Sequence, residues 1–298
     1  MRIGVDLGGT KIEAVALDDA GVVHARERVP TPAVQGYDAV VAAVAALARR
    51  VEAVVGVPCP VGVGTPGARS PTTGLLRNSN TVCLNGRPLD RDLSRALGRE
   101  VLIANDADCF ALSEATDGAG AGAETVFGVI AGTGTGGGVV VRGALVRGPN
   151  AIAGEWGHAP LPWPRDEERP GPVCYCGRRG CVETWLSGPG LAADHARATG
   201  ERLDAREIAA RAAAGDAAAG ATLERHADRF ARALAVIIDV LDPYVIVLGG
   251  GLSHLAHLYE AIPARWGAYV FSDAVATRLV RAAHGDASGV RGAAWLTR

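Results

Sequence analysis

Residues 2–17 read RIGVDLGGTKIEAVAL, and the way this stretch turns back on itself decides the architecture. Arg2 to Leu7 alternate with the two-residue period of a strand, Gly8-Gly9-Thr10-Lys11 turn the chain, and Ile12 to Asp18 continue as a second strand. A further turn at Asp18-Asp19-Ala20-Gly21 opens into VVHARERV at 22–29. The same grammar returns at 126–148, where VFGVIA enters GTGTGGG (132–138), VVV leaves it, Arg142-Gly143 turns, and ALVRG completes a third strand. Two copies of strand, glycine turn, strand, turn, strand predict an internal duplication.

Between the copies the patterning predicts a helix over 37–52, a strand in VGVGTPG (61–67), a helix over 89–97, and a strand in VLIANDAD (101–108) that delivers polar residues at its end. A helix over 109–116 follows, and a long amphipathic run over 216–241 is stopped by Pro243. The strand at 244–248 opens into Gly249-Gly250-Gly251, and Asp286 or Ser288 is placed to cap a last helix reaching Leu296. Strands alternating with helices and hairpins indicate an α/β fold.

The chain has 298 residues, which suits about two domains, and 48% hydrophobic content gives ample core. A net charge of -2 with scattered arginines offers no field for nucleic acid or an anionic membrane. The start, MRIGVDLGG, lacks the apolar stretch of a signal peptide, and the apolar windows at 39–48 and 234–252 are too short or interrupted to span a bilayer. A cytoplasmic protein is expected, in which disulfides are rare. Cys59, Cys83 and Cys109 stand alone and read as small buried apolar residues. Lys11 is the only lysine, and its place in a glycine loop hints that an ammonium is wanted there.

Gly132, Gly134 and Gly137 have the G-x-G-x-x-G spacing of a dinucleotide loop, but that motif requires a helix next and β-branched residues follow. Lys11 lacks the glycine spacing of a Walker A loop. What remains is a pair of strand-connecting glycine loops, which are either plain tight hairpins or places where bare backbone N–H groups meet phosphate. The third glycine cluster at 249–251 favours the second reading.

CYCGRRGCVE (174–183) puts three cysteines in eight residues, and GEWGH (154–158) adds an imidazole. A redox pair would prefer C-x-x-C, whereas Cys174, Cys176, Cys181 and His158 make a closed tetrahedral zinc set with no open position for a hydrolytic water. Binding all four to one ion would draw Glu155 and Glu183 toward each other, as a pair of acceptors able to grip sugar hydroxyls. Glu183 can equally be a first-turn residue favoured by a helix dipole. Paired carboxylates also serve glycoside hydrolysis, which would leave the glycine loops unexplained.

DLGGTK (6–11), GTGTGGG, GEWGH, the C-x-C-G-x-x-G-C-x-E cluster and the tail HGDASGVRGAA (284–294) together resemble the ROK family of bacterial sugar kinases. The resemblance covers essentially the whole chain. It implies an actin-like, hexokinase-like ATPase fold with two α/β domains closing on a cleft: a small one from 1–112 plus 283–298, and a large one over 113–282 with the zinc loop. It implies that Asp6, Gly8, Gly9, Thr10, Lys11 and Gly132, Thr133, Gly134, Thr135, Gly136, Gly137 flank the ATP phosphates, and that Gly249, Gly250 and Gly251 lie near the adenosine. Asp6 would assist magnesium through water.

Within the family the aspartate of the matching N-D pair is the catalytic base, a role carried to Asp106, with Gly67, Asn105, Asp106, Glu155, His158 and Glu183 around the sugar. Without the resemblance Asn105 and Asp106 read as helix caps, and with it Asp108 becomes the cap. SPTTGLLRNSNTVCLNG (70–86) and GEWGHAPLPW (154–163) most resemble the fructokinase and mannofructokinase members, so the expected reaction is ATP-dependent phosphorylation of the 6-hydroxyl of fructose, with mannose also accepted. Glucokinase or N-acetylglucosamine kinase activity is the alternative, and a non-catalytic sugar sensor is the alternative of a different class. The family's repressors carry a helix-turn-helix ahead of the first loop, for which the start of this sequence leaves no room. A homodimer is common in the family.

Overall fold

The computed structural model describes residues Met1–Arg298. β1 (Arg2–Leu7), β2 (Lys11–Leu17) and β3 (Val23–Pro30) form an antiparallel meander in which Leu7 faces Ile12 across the first turn and Lys11 faces Pro30. α1 (Tyr37–Val55) follows, with Val40, Val44, Leu47, Ala48 and Val51 spaced to line one face, and that face packs on Ile3, Val5 and Leu7. Next come β4 (Val61–Thr65), the small ribbon of β5 (Ala68–Arg69) and β6 (Leu76–Arg77), α2 (Leu89–Leu97), β7 (Val101–Asn105) and α3 (Asp106–Thr116). β4 and β7 add in parallel to give the order β3-β2-β1-β4-β7.

β8 (Thr125–Ala131), β9 (Thr135–Val141) and β10 (Ala144–Leu145) open the second half. The zinc-motif segment leads into α4 (Glu183–Leu186), α5 (Gly188–Thr199), α6 (Ala205–Ala213) and α7 (Ala217–Leu241), then β11 (Val245–Gly249), α8 (Leu258–Ala261), α9 (Pro263–Trp266), β12 (Arg278–Arg281) and α10 (Ser288–Trp295). The second sheet has the order β10-β9-β8-β11-β12, the first sheet's order repeated element for element, with β11 parallel to both neighbours. The duplicated strand grammar is thus duplicated topology.

The chain divides into two compact units, one of Met1–Gly122, Gly138–Ala153 and Ala283–Arg298, the other of Ala123–Gly137 and Gly154–Ala282. The first break falls at 122/123 rather than 112/113 because α3 is tied to the C-terminal segment. Glu114 accepts from the Ala283 and His284 N–H groups (2.9 and 3.1 Å) and from the Ser288 hydroxyl (2.8 Å), while Asp117 pairs with His284 and Arg291. Gly138–Ala153, expected in the larger domain, belongs to the first unit.

Several boundaries differ from the sequence reading. β7 stops at Asn105 and α3 starts at Asp106, earlier than the expected helix over 109–116, because the Asn105 side chain caps it. The third strand of the second meander is only two residues long. α10 is capped by neither Asp286 nor Ser288, since the Ser288 hydroxyl donates to Glu114 instead of accepting from the helix. Asp216 does cap α7, accepting from Ala218 and Ala219. Cys59 and Cys109 are buried, but Cys83 only half-buried at the edge of the first core. No helix is long and apolar enough to cross a membrane.

Candidate active site

In the first unit, three parallel strands end side by side. The registers that pair Asp6 with Gly64 and Thr65 with Asn105 bring Asp6, the Pro66-Gly67 turn, Asn105 and Asp106 to one edge of the sheet. Asn105 is the cap of α3: its Oδ1 accepts from the Ala107 N–H at 2.8 Å, and its Nδ2 donates to the Gly67 carbonyl at 3.1 Å. Asp106 Oδ1 also accepts from the Ala107 N–H, at 2.8 Å, so its carboxylate is held at the helix start, and Asp108 is not the cap. Burial, then the neighbouring Asp106 charge, raise the Asp6 carboxyl to about 6, with Lys11 pulling the other way. Two acidic groups crowded in this way are a place where a divalent cation relieves repulsion.

The turn at 8–11 is braced from β3. The Thr31 hydroxyl donates to the Gly8 carbonyl (2.6 Å), the Thr31 N–H to the Thr10 carbonyl (3.0 Å), and the Gly8 N–H to the Lys11 carbonyl (2.9 Å). Lys11 Nζ lies 3.9 Å from Glu13, a buried carboxylate also paired with Arg26 and Arg28. Burial works against ionisation of Glu13, yet the Arg28 and Arg26 hydrogen bonds hold it below the usual carboxylate range. A hollow of about 240 Å³ lies against Gly9, lined by Ala33, Val34, Asn80, Thr81, Val82 and Cys83.

In the second unit, the loop 132–137 is gripped by the segment that follows it. Thr135 N–H donates to Glu183 Oε2 (2.9 Å), Trp156 Nε1 to the Gly136 carbonyl (3.0 Å), and Gly188 N–H to the Gly132 carbonyl (2.7 Å). Gly250, at φ 77°, crosses so close to Ala131 that any Cβ would overlap its backbone, so 249–251 and the start of this loop lie together. Glu183 opens α4, where a helix dipole favours a carboxylate, yet its carboxylate is turned to the glycine loop.

The four expected metal ligands converge: one donor atom from each of His158, Cys174, Cys176 and Cys181 lies within 4.8 Å of all the others. His158 Nδ1 is 3.6 Å from Cys174 Sγ, and Cys176 Sγ is 3.6 Å from Cys181 Sγ. Zinc–sulfur bonds near 2.3 Å imply tetrahedral edges of about 3.8 Å, so the set fits zinc. Burial pushes the Cys174 and Cys181 thiols up, and a bound cation is what would hold them as thiolates. With Nδ1 turned to the sulfurs, His158 offers Nε2 to the Tyr175 hydroxyl at 2.9 Å, the kind of outer contact that orients a ligating imidazole.

Partial burial of its hydroxyl end pushes Tyr175 up to about 12, with the charges of Glu183, Cys174 and Glu155 adding to it. The exposed Glu155 therefore shares this neighbourhood with Glu183 and His158. Trp156 and Tyr175 were not singled out from the sequence. Their aromatic rings inside GEWGH and between two cysteines were the available signal.

Sheets of one repeated order and acidic strand ends define a hexokinase-like, actin-fold α/β protein. Residues 2–298 match the model of the ROK family, and the chain belongs to that family. It is 42% identical over 300 residues to an N-acetyl-D-glucosamine kinase of Photobacterium profundum, covering 99% of both chains. Among solved structures, a ROK hexokinase from Thermus thermophilus superposes with a TM-score of 0.88 at 35% identity, over 99% of this chain and 96% of that one. A ROK glucokinase from Streptomyces griseus, in complex with glucose and AMPPNP, gives 0.78 at 27% identity, over 99% and 98%. The chain is a sugar kinase of this family. The expected kinship with fructokinase members is corrected by the Photobacterium relative. The two stretches that suggested it, 70–86 and 154–163, are a small part of the chain, whereas this relative matches 99% of it.

Proposed function

We propose that the protein transfers the γ-phosphoryl group of ATP to the 6-hydroxyl of N-acetyl-D-glucosamine. The observation that carries the choice of sugar is the 42% identity, end to end, with a relative named for that substrate. The phosphotransfer itself is supported by Asp106, fixed at the end of β7 beside Asp6.

Asp106 accepts the proton of the 6-hydroxyl as that oxygen forms its bond to the γ-phosphorus and the bond to the β-phosphate oxygen breaks, releasing ADP. Asn105, immobilised by its cap bond and by Gly67, presents polar atoms to the sugar beside the base. Asp6 would hold, through water, the magnesium that comes with ATP, which when bound would supply charge neutralisation at the phosphates. The N–H groups of 8–11 and 132–137, other than those of Gly8, Gly132 and Thr135 that are bonded within the protein, receive phosphate oxygens, and 249–251 lie along the adenosine. Glu155 and Glu183 hold sugar hydroxyls, joined by His158 where a hydroxyl replaces Tyr175 at its Nε2, on a loop that zinc, when held by His158, Cys174, Cys176 and Cys181, would keep in shape. The test is sugar-dependent ADP release with N-acetylglucosamine, followed by NMR location of the phosphate. A product phosphorylated on O6 is expected, and an absence of ADP release with this sugar would sink the reading.

A further inference from the structure

Thr135–Gly137 open β9 and are held in the second sheet; beyond that pairing, the three bonds that hold 132–137 come from residues next to the metal ligands or just beyond them. Trp156 stands two residues before His158, and Glu183 stands two after Cys181. Gly188 follows at the head of α5. The segments carrying these anchors are joined to each other by little else: an antiparallel bridge between Pro160 and Cys181, with Leu161 N–H to the Gly180 carbonyl and Val182 N–H to the Ala159 carbonyl, both 2.9 Å. A side chain at Gly157 would overlap the Thr135 carbonyl, so the Trp156–His158 turn is seated directly on the loop.

Five of the seven residues at 132–138 are glycine, the residue that loses most freedom on ordering. Such a loop is a good phosphate receptor only if something outside it holds its N–H groups in place, because a preorganised site binds more tightly.

We infer that the Cys/His metal module is the brace of the nucleotide loop as well as of the sugar loop: through Trp156 and Glu183 it sets the conformation of 132–137, so metal occupancy governs nucleotide affinity even with no sugar bound. Trp156 and Glu183 are positioning residues in this role. The inference rests on the assignment of 132–137 to ATP phosphates. It gives Glu183 a second duty, with Oε2 committed to the Thr135 N–H.

The experiment compares the full chain loaded with zinc and after a zinc-selective chelator, by hydrogen–deuterium exchange and by calorimetric binding of Mg·AMPPNP without sugar. In the loaded protein AMPPNP should protect the amides of 132–137. Removing zinc should raise exchange in that loop and weaken AMPPNP about tenfold or more, the loss of one to two hydrogen bonds' worth of preorganisation. Trp156→Phe keeps the ring and drops the donor to Gly136. With zinc still bound one per chain, it should weaken AMPPNP about fivefold while leaving N-acetylglucosamine affinity within about twofold. Unchanged loop exchange and nucleotide affinity on zinc removal, or a shift confined to the sugar, would overturn the inference. If AMPPNP leaves 132–137 unprotected in the loaded protein, the loop is not the phosphate site and both readings fall. If chelation raises exchange throughout the chain, Trp156→Phe decides alone, and a normal nucleotide affinity in it refutes the brace.

Discussion

Replacing Asp106 with asparagine separates a base from a cap. Asp106 Oδ1 and Asn105 Oδ1 both accept from the Ala107 N–H at 2.8 Å, and an asparagine oxygen at 106 can do the same, so the start of α3 should survive. Losing a negative charge at a helix N-terminus costs about 0.3–1 kcal/mol. Against this, Asp106 is one cause of the rise of Asp6 from 3.8 to about 6, second to burial. A raised carboxylate pKa destabilises the fold above the unfolded value, here by about 3 kcal/mol in all at neutral pH, and Asp106→Asn returns the smaller, electrostatic share. The two effects oppose each other and the melting temperature should move by only a few degrees. Turnover should behave otherwise: with no acceptor for the 6-hydroxyl proton, kcat falls at least ~100-fold, about 2.7 kcal/mol of transition-state stabilisation. A coupled assay for ADP measures the rate, calorimetry checks that N-acetylglucosamine still binds, and the Asp6 titration should move below 6 in the variant. A folded variant that binds sugar and retains turnover within about tenfold of the parent would remove Asp106 from the base role.

Glu168, with side-chain exposure of 3%, is paired with Arg229 and Arg232, themselves 4% and 2% exposed. Glu168→Gln leaves two buried guanidinium groups short of a counter-charge and should cost about 3–5 kcal/mol in urea unfolding; a loss under 1 kcal/mol would mean that the cluster is dispensable. Burial opposes ionisation of Glu168, but hydrogen bonds from Arg232 and Arg229 hold it down to about 2, so its contribution is full above 4.5 and fades as pH falls toward 2. Burial likewise lowers His226 to about 4, so the stability of its neutral form is present above 6.5 and is lost between 6.5 and 4. Asp6 works the other way over the upper range, because protonating it as pH falls through 6 relieves its destabilisation. Melting temperature should therefore fall clearly only below 4.5, and His226→Gln, which removes the opposing loss, should make stability between 6.5 and 4 rise on acidification relative to the parent.

The duplicated meanders were legible because each short strand is bounded by its own glycine turn, a signal contained within a few residues. The convergence of His158, Cys174, Cys176 and Cys181 was legible for a related reason, since three thiols within eight residues have few other uses. The start of α3 was misread because Asn105 and Asp108 are equally good caps by type, and only the course of the backbone decides between them. Asn105 was free to cap because β7 ends there in register with Thr65. Contacts such as Thr135 with Glu183, 48 residues apart, leave no trace in local pattern. The sugar was the least legible feature: the fructokinase-like reading rested on two short stretches, and the relative with 42% identity over 99% of the chain redirects the proposal from fructose to N-acetylglucosamine.

The central claim is most directly tested by measuring kcat/KM for N-acetylglucosamine, glucose, mannose and fructose side by side, with the zinc-loaded protein and saturating Mg·ATP. The account predicts that N-acetylglucosamine leads fructose by at least ~100-fold, the discrimination expected when a site built around a polar substituent meets a sugar without it. Equal or higher kcat/KM for fructose would contradict it.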